Sequence, residues 1–226
     1  MVFTNKKLPQ NISLNVGGTL INETSETKFL GLILDNKLSW HAHIKHIYSK
    51  MSKSISILKY LKYVFPINVL KTLYHTLVFP YINYCNIIWG SACKTTLRPV
   101  TLLQKKCIRI INKSSYLEHT DPLFKKSRLL KINQVYQLNC VKFMHKCLNT
   151  NLFLTFKEKL QFNASVHRYN TRNSSQLRQH FEKLNKCINS FFISGIKFWN
   201  DLPTSTRDIK DIHAFKKSVK FFLQTK

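Results

Sequence analysis

Apolar residues recur along this chain at two different spacings. Near the start, Ile12, Leu14 and Val16 alternate with polar neighbours, Gly17-Gly18 breaks the run, and Leu20 and Ile21 resume it. That is the signature of a β-hairpin. A further apolar run, Phe29 to Leu34, predicts another strand, and together these strands would make a small antiparallel sheet. Gly31 lies inside the run, where a glycine marks a bulge or a place where another backbone comes close. Asp35-Asn36-Lys37 supplies a turn, and Leu38 and Trp40 return apolar surface to the core.

From residue 43 the period changes to three and four. Ile44, Ile47, Tyr48, Met51, Ile55, Leu58 and Leu61 form one stripe and predict a helix over 43–65, with Lys45, Lys50 and Lys53 mainly opposite. A second helix carries Leu70, Leu73, Tyr74 and Leu77, and Pro80 kinks or ends it. Residues 81–89 are nearly all apolar and close on Gly90. Further helices are predicted over 97–112, from an Asp121 N-cap with Pro122 in the first turn to about Leu130, and over 132–148. About five helices would then fill 43–148, with Trp40 and Trp89 buried. Residues 149–176 are rich in Asn, Ser and Thr and read as a polar linker. Residues 177–226 end in an amphipathic helix bearing Phe215, Val219 and Phe222. The fold class is mainly α: a helical bundle over 41–148, preceded by a β remnant over 1–40 and followed by the linker and a helical region over 177–226.

Several of these positions stand in a fixed pattern. Leu30, Gly31, Asp35, Leu38, Trp40, His43 and Ile44 match Leu-Gly-x-x-x-Asp-x-x-Leu-x-Trp-x-x-His-Ile. This resembles the segment just after the palm in reverse transcriptases of non-LTR retrotransposons, LINE-like elements of the jockey, CR1 and RTE type. Leu73-Tyr74 followed by Pro80, Tyr84, Trp89 and Gly90 resembles the same family, as do Leu103-Gln104-Lys105-Lys106 with Arg109 and Ile111, Tyr169-Asn170-Thr171-Arg172, and Lys197, Trp199-Asn200 and Leu202-Pro203. The resemblance runs in order from about Lys28 onward. It implies that residues 1–40 correspond to the palm's edge and 41–148 to a thumb-like bundle, with the hairpin lying beside the primer end. Residues by themselves read the aromatic cluster at 81–89 as core.

Charge changes the picture from fold to partner. The 226 residues carry 36 Lys and Arg against ten Asp and Glu, a formal net charge of +26. A charge that large repels itself and seeks a polyanion. Its distribution is sharper still: residues 36–117 contain thirteen Lys and Arg and not one acid. Such a one-sign stretch is suited to a phosphate backbone. The candidate nucleic-acid-binding residues are Lys45, Lys50, Lys53, Lys59, Lys62, Lys105, Lys106 and Arg109, and the expected partner is the backbone of an RNA or DNA duplex.

The chemistry of catalysis is missing from the sequence. The family resembled is that of RNA-directed DNA polymerases, which hold Mg²⁺ on a palm Asp-Asp pair. This chain has no Asp-Asp, and Asp35 has no acid nearer than Glu26. No cofactor is expected in this chain. The resemblance implies that Mg²⁺ belongs to the absent palm, that fingers and palm are the chain's missing partners, and that the chain alone is inactive. His41, His43 and His46 invite a metal reading, but no carboxylate or Cys joins them. The six Cys fit no zinc spacing. With no apolar signal region in the opening residues, they read as reduced thiols of an intracellular protein, nuclear or cytoplasmic rather than secreted. No apolar run is long enough to span a membrane. Two readings stay beside the polymerase-fragment one: a free-standing basic helical protein that binds RNA or DNA, and a relic of a truncated element with no function.

Overall fold

A computed structural model of the chain describes residues 1–3, 13–166, 173–179 and 190–225. Tyr169–Arg172, Cys187 and Ile12 lie outside the described residues. The described part is mainly helical, with its strands in two hairpins ahead of the helices and one isolated antiparallel bridge, Phe162 with Leu177, downstream.

The strands form two separate hairpins and not one sheet. β1 (Ser13–Val16) pairs antiparallel with β2 (Thr19–Asn22), and β3 (Glu26–Phe29) with β4 (Leu32–Asp35). In the second hairpin Glu26 lies opposite Asp35 and Phe29 opposite Leu32. Leu30-Gly31 is the two-residue turn between them, with φ of 46° and 80°. Two successive positive φ angles are what a tight hairpin turn of matching twist requires. Gly31 therefore sits in a turn, not within a strand. No backbone crowds it: a Cβ there would make ordinary contact with the Tyr84 ring, 3.5 Å away, and it is the positive φ that favours glycine. Phe29 and Leu30 are exposed, and Leu32 is the hairpin's buried residue.

α1 (His41–Leu61) begins two residues before its predicted start and ends four before its predicted end. Pro66 disfavours helical geometry just ahead of it, and the chain turns tightly through Val64 and Phe65, whose amides both donate to the Leu61 carbonyl. α2 (Ile67–Leu77) follows, then α3 (Phe79–Asn83), with Pro80 near its start where a missing N–H is harmless. The apolar 81–89 stretch continues into α4 (Asn86–Trp89), so seven helices rather than five occupy the predicted bundle. α5 (Lys94–Ile111) contains Pro99 within its first two turns. α6 (Thr120–Ser127) is preceded by His119, so Asp121 is not the N-cap. It lies in the first turn and pairs with Lys131 at 2.9 Å. α7 (Ile132–Asn149) runs through the middle of the remaining helices.

One apolar core runs from Leu32 of β4 to Leu223 near the end of the chain. α1 packs chiefly on α5, while α7 packs on α10 (Phe191–Asn200) and α12 (Ile212–Thr225), with the short α11 (Thr204–Arg207) between those two. Trp40 and Trp89 are buried as expected. Gly90 is where α4 meets α7: a Cβ there would fall 2.6 Å from the Tyr136 ring and closer still to the Asn86 carbonyl. The segment rich in Asn, Ser and Thr folds against α7. It carries α8 (Leu154–Lys157) and α9 (Asn163–Val166), and Phe153 and Phe156 pack on Phe143 at ring distances of 5.1 and 5.3 Å. Leu38 points to solvent instead of the core, for a reason that lies in Asp35.

Candidate nucleic-acid interface

The seam between β4 and α1 is built by one carboxylate. Asp35 accepts hydrogen bonds from the backbone amides of Lys37, Ser39 and Trp40, at 3.1, 2.9 and 2.9 Å. Partial burial pushes its pKa up, but the amides of Ser39, Trp40 and Lys37 outweigh that and leave it below the ordinary carboxylate value. Those bonds hold Leu38 and Trp40 in left-handed geometry, φ 49° and 66°, which bulky residues rarely adopt. Leu38 is thereby turned outward and Trp40 inward, directly before α1. Asp35 is thus a structural group, with its lone pairs already engaged.

The other pattern residues of this region form a connected set around Trp40. His43 is buried. Its Nδ1 accepts from the Ile33 amide at 3.4 Å, and its ring stands edge-on to Trp40 and Trp89 at 6.4 and 5.9 Å. Trp89 Nε1 donates to the Tyr84 carbonyl at 2.9 Å, and the Tyr84 hydroxyl donates to the Leu30 carbonyl at 2.7 Å. The Tyr84 amide in turn donates to the Pro80 carbonyl. Hairpin turn, α1 and α4 are therefore tied in one loop of contacts. Burial, and after it the nearby His46, pulls the His43 pKa down to about 4. The three histidines do not converge: His41 bonds Ser39 and Thr96, and His43 faces the hairpin. Among the described residues no group of three His, Cys, Asp or Glu could hold a metal.

Outward from this seam, α1 presents its cations. Its buried residues, among them Ile44, Ile47, Met51, Ile55 and Leu58, follow one helical stripe, and Lys45, Lys50, Lys53 and Lys59 are exposed. Among the described residues no ion pair holds any of these four. Lys62, just past the helix end, is half-buried with its ammonium 4.7 Å from the Tyr63 ring centre. At the N-terminal end of this face an open cleft of about 530 Å³ lies between β3, β4 and α1, lined by Glu26, His41, Lys45, His46 and Ser49 among others.

α5 differs from its prediction. Lys106 is exposed, but Lys105 and Arg109 are half-buried. Arg109 Nε donates to the Glu118 carbonyl at 2.8 Å and its guanidinium lies 6.0 Å from the Tyr116 ring centre. Lys105 is near Asp121, whose carboxyl is held below its ordinary pKa first by its bond to Lys131 and in smaller part by Lys105. Two exposed cations outside the candidate set, Lys94 and Arg98, occupy the first turns of α5. Their spacing with Lys105 and Arg109 (four, seven, four) places all four along one side of the helix, a signal present in the sequence. At the start of α5, Cys93 is exposed, and hydrogen bonds from the Thr95 and Thr96 hydroxyls lower its thiol pKa to about 7. Cys107, Cys140 and Cys147 are buried free thiols, and Cys85 is a half-buried one.

The downstream pattern residues are architectural too. Trp199 is buried against Phe215 and His145, with ring distances of 5.7 and 6.4 Å. The Asn200 side chain makes a reciprocal pair with the Leu177 backbone, accepting at 2.9 Å and donating at 2.8 Å. Pro203 precedes α11 and its carbonyl accepts from Thr206 and Arg207. No described helix is long and apolar enough to cross a membrane.

Comparison with known proteins points to one kind of polymerase. The chain is 26% identical over 140 residues to the RNA-directed DNA polymerase from mobile element jockey of Drosophila melanogaster, covering 60% of this chain and 15% of that protein. It is 27% identical over 118 residues to the probable RNA-directed DNA polymerase from transposon BS of the same species, covering 50% of this chain and 13% of that one. The jockey polymerase of Drosophila funebris is 26% identical over 110 residues, 47% of this chain and 12% of that protein. The chain thus spans only 12 to 15% of the length of these relatives. No family model and no solved structure matches it.

Proposed function

We propose that the chain is the thumb-like, C-terminal part of a retrotransposon-type RNA-directed DNA polymerase, and that it grips a template–primer duplex by its phosphates without a catalytic site of its own. The observation that carries this reading is the outward face of α1. Four lysines stand exposed there, within a span of sequence that holds no acid. The similarity to polymerases of mobile elements supports the same partner. Lys45, Lys50, Lys53 and Lys59 would take phosphates from α1, and Lys94, Arg98 and Lys106 from α5. Arg109 and Lys105 contribute less, because both are half-buried and Arg109 already donates to a carbonyl. Contacts of this kind position a duplex without reading its sequence. The fingers, the palm and the Mg²⁺ that the palm would hold belong to the rest of such a polymerase.

A salt titration tests the grip. With about six phosphate contacts, log affinity for duplex should fall with log salt at about −0.9 per contact, a loss on the order of a thousandfold between about 50 and 200 mM. Changing Lys45, Lys50, Lys53, Lys59, Lys94 and Arg98 to Gln should flatten that slope without lowering the melting temperature. Equal slopes for the two proteins would defeat the reading. The purified chain should also extend no primer, with or without Mg²⁺.

A second reading draws on the continuous core from Leu32 to Leu223, which includes residues from the hairpin to the last helix. A chain with such a core could act as a free-standing basic nucleic-acid-binding protein. Reversible, cooperative unfolding of the isolated chain would favour it.

A further inference from the structure

The outward face of α1 changes character along its length. Up to Lys53 its exposed positions are mostly lysine and serine. Beyond Lys53, the positions four, seven and eleven residues on are Ile57, Tyr60 and Val64, with Tyr63 beside them. These four are 49%, 77%, 74% and 78% exposed, in that order. Single exposed apolar residues are ordinary, but a contiguous group with two nearly bare aromatic rings marks a binding surface. Among the described residues neither tyrosine hydroxyl has a hydrogen-bond partner. The group is flanked by Lys59 and Lys62, with Lys62 already set over the Tyr63 ring at 4.7 Å.

We propose that the C-terminal end of α1 and the turn after it bind an unpaired nucleic-acid strand, Tyr60 and Tyr63 stacking on its bases while Lys59 and Lys62 meet its phosphates. The proposal rests on the reading of α1 as a nucleic-acid face. Charge selects this partner: the rings sit within the acid-free span of residues 36–117 and continue the same helix surface as Lys45, Lys50 and Lys53. Geometry selects an unpaired strand over a duplex. A duplex offers phosphates and groove edges, whereas base faces are free to stack on an aromatic ring only where the strand is single. Lys53 and Tyr60 are seven residues apart, roughly 10 Å along the helix. A duplex held by the lysines would end, and its single-stranded extension begin, within that distance. The alternative of an anionic membrane fits less well, since the apolar stripe of α1 is already buried against α5 and only one end of the outward face is apolar.

The test uses the full chain and fluorescence anisotropy with three probes: a blunt duplex, the same duplex with a single-stranded overhang, and a single strand. The wild type should prefer the overhang to the blunt end. Tyr60→Ala with Tyr63→Ala should lower single-strand affinity by about tenfold per ring and abolish the overhang preference, since base stacking contributes on that scale. Blunt-duplex affinity and the melting temperature should stay within error, because both rings are exposed. Tyr60→Phe with Tyr63→Phe should bind as wild type, because stacking needs the ring and not the hydroxyl. Unchanged single-strand affinity in the alanine variant would overturn the proposal, as would equal losses on all three probes. Loss of binding to phosphatidylserine vesicles, with strand binding intact, would assign the face to a membrane instead. A wild type that binds the single strand through these tyrosines but fails to bind blunt duplex would remove the duplex grip and leave this proposal standing.

Discussion

Two buried tryptophan–histidine centres organise the molecule, and they use the imidazole in opposite senses. Around Trp89, His43 accepts a backbone hydrogen bond through Nδ1, and its Nε2 has no partner among the described residues. Around Trp199, His145 donates from Nε2 to the Ile209 carbonyl at 2.7 Å and stacks on Phe215 at 4.3 Å. An accepting nitrogen cannot also carry a proton, so the first centre requires a neutral ring. A donating nitrogen serves equally in the neutral and charged forms. The first centre also ties a hairpin with a largely exposed surface to the bundle, while the second joins three helices that already share a core. The same residue types thus give two centres that differ in which way the imidazole hydrogen bond runs, and the first is sensitive to protons.

The largest effect should come from removing either indole. Trp89→Ala and Trp199→Ala should each destabilise the chain by about 3–5 kcal/mol. They should differ in what is released. Without Trp89, limited proteolysis should cut near the Leu30-Gly31 turn well below the melting temperature, because Trp89 and Tyr84 hold that turn down. Without Trp199, the turn should stay protected until global unfolding. Similar cleavage patterns for both variants would erase the distinction.

The pH dependence comes next. His43 has a folded pKa of about 4, below the ordinary 6.5 of an unfolded chain. As pH falls from about 6.5 toward 4 the unfolded chain takes up a proton that the folded chain refuses, so stability is lost across that window, at up to about 1.4 kcal/mol per pH unit. His75, also lowered by burial and then by Lys220, acts in the same direction. Denaturant titrations at several pH values should therefore show a slope that His43→Gln reduces. A slope that His43→Gln leaves unchanged would mean that the first centre does not require a neutral ring.

The smallest effect isolates one bond of the first centre. Tyr84→Phe removes the hydroxyl that reaches the Leu30 carbonyl and should lower global stability only slightly. Hydrogen exchange at the β3–β4 amides should accelerate while that of α10 and α12 does not.

Helical stripes were legible in the sequence because burial along α1 and α7 follows a simple period. The hairpin was less so. Leu38 and Leu30 are apolar yet exposed, since the amides gathered by Asp35 and the tight turn at Gly31 dictate their direction more strongly than hydropathy does. In the candidate interface the α1 lysines could be read directly, because an amphipathic helix with a full inner stripe leaves its cations outside. Lys94 and Arg98 lie outside the candidate set; α5 starts at Lys94, three residues before the predicted start at 97, so the row they form with Lys105 and Arg109 was less visible in the sequence. Arg109 was overrated because its carbonyl partner comes from Glu118, across a turn that periodicity does not reveal.

The unpaired lysines on α1 have a further consequence for the fold itself. Like charges repel, and Lys50 and Lys53 stand at i, i+3 on a surface with no acid to offset them, so the free protein should gain slightly in stability as salt rises, the reverse of its expected affinity for duplex. A bound polyanion would supply the missing counter-charge directly, and by linkage would raise the melting temperature most where salt is lowest. On this surface a bound strand would double as a folding counterion: the bundle would be tightest with that strand aboard, and releasing it into dilute buffer would return the helix to its own self-repulsion.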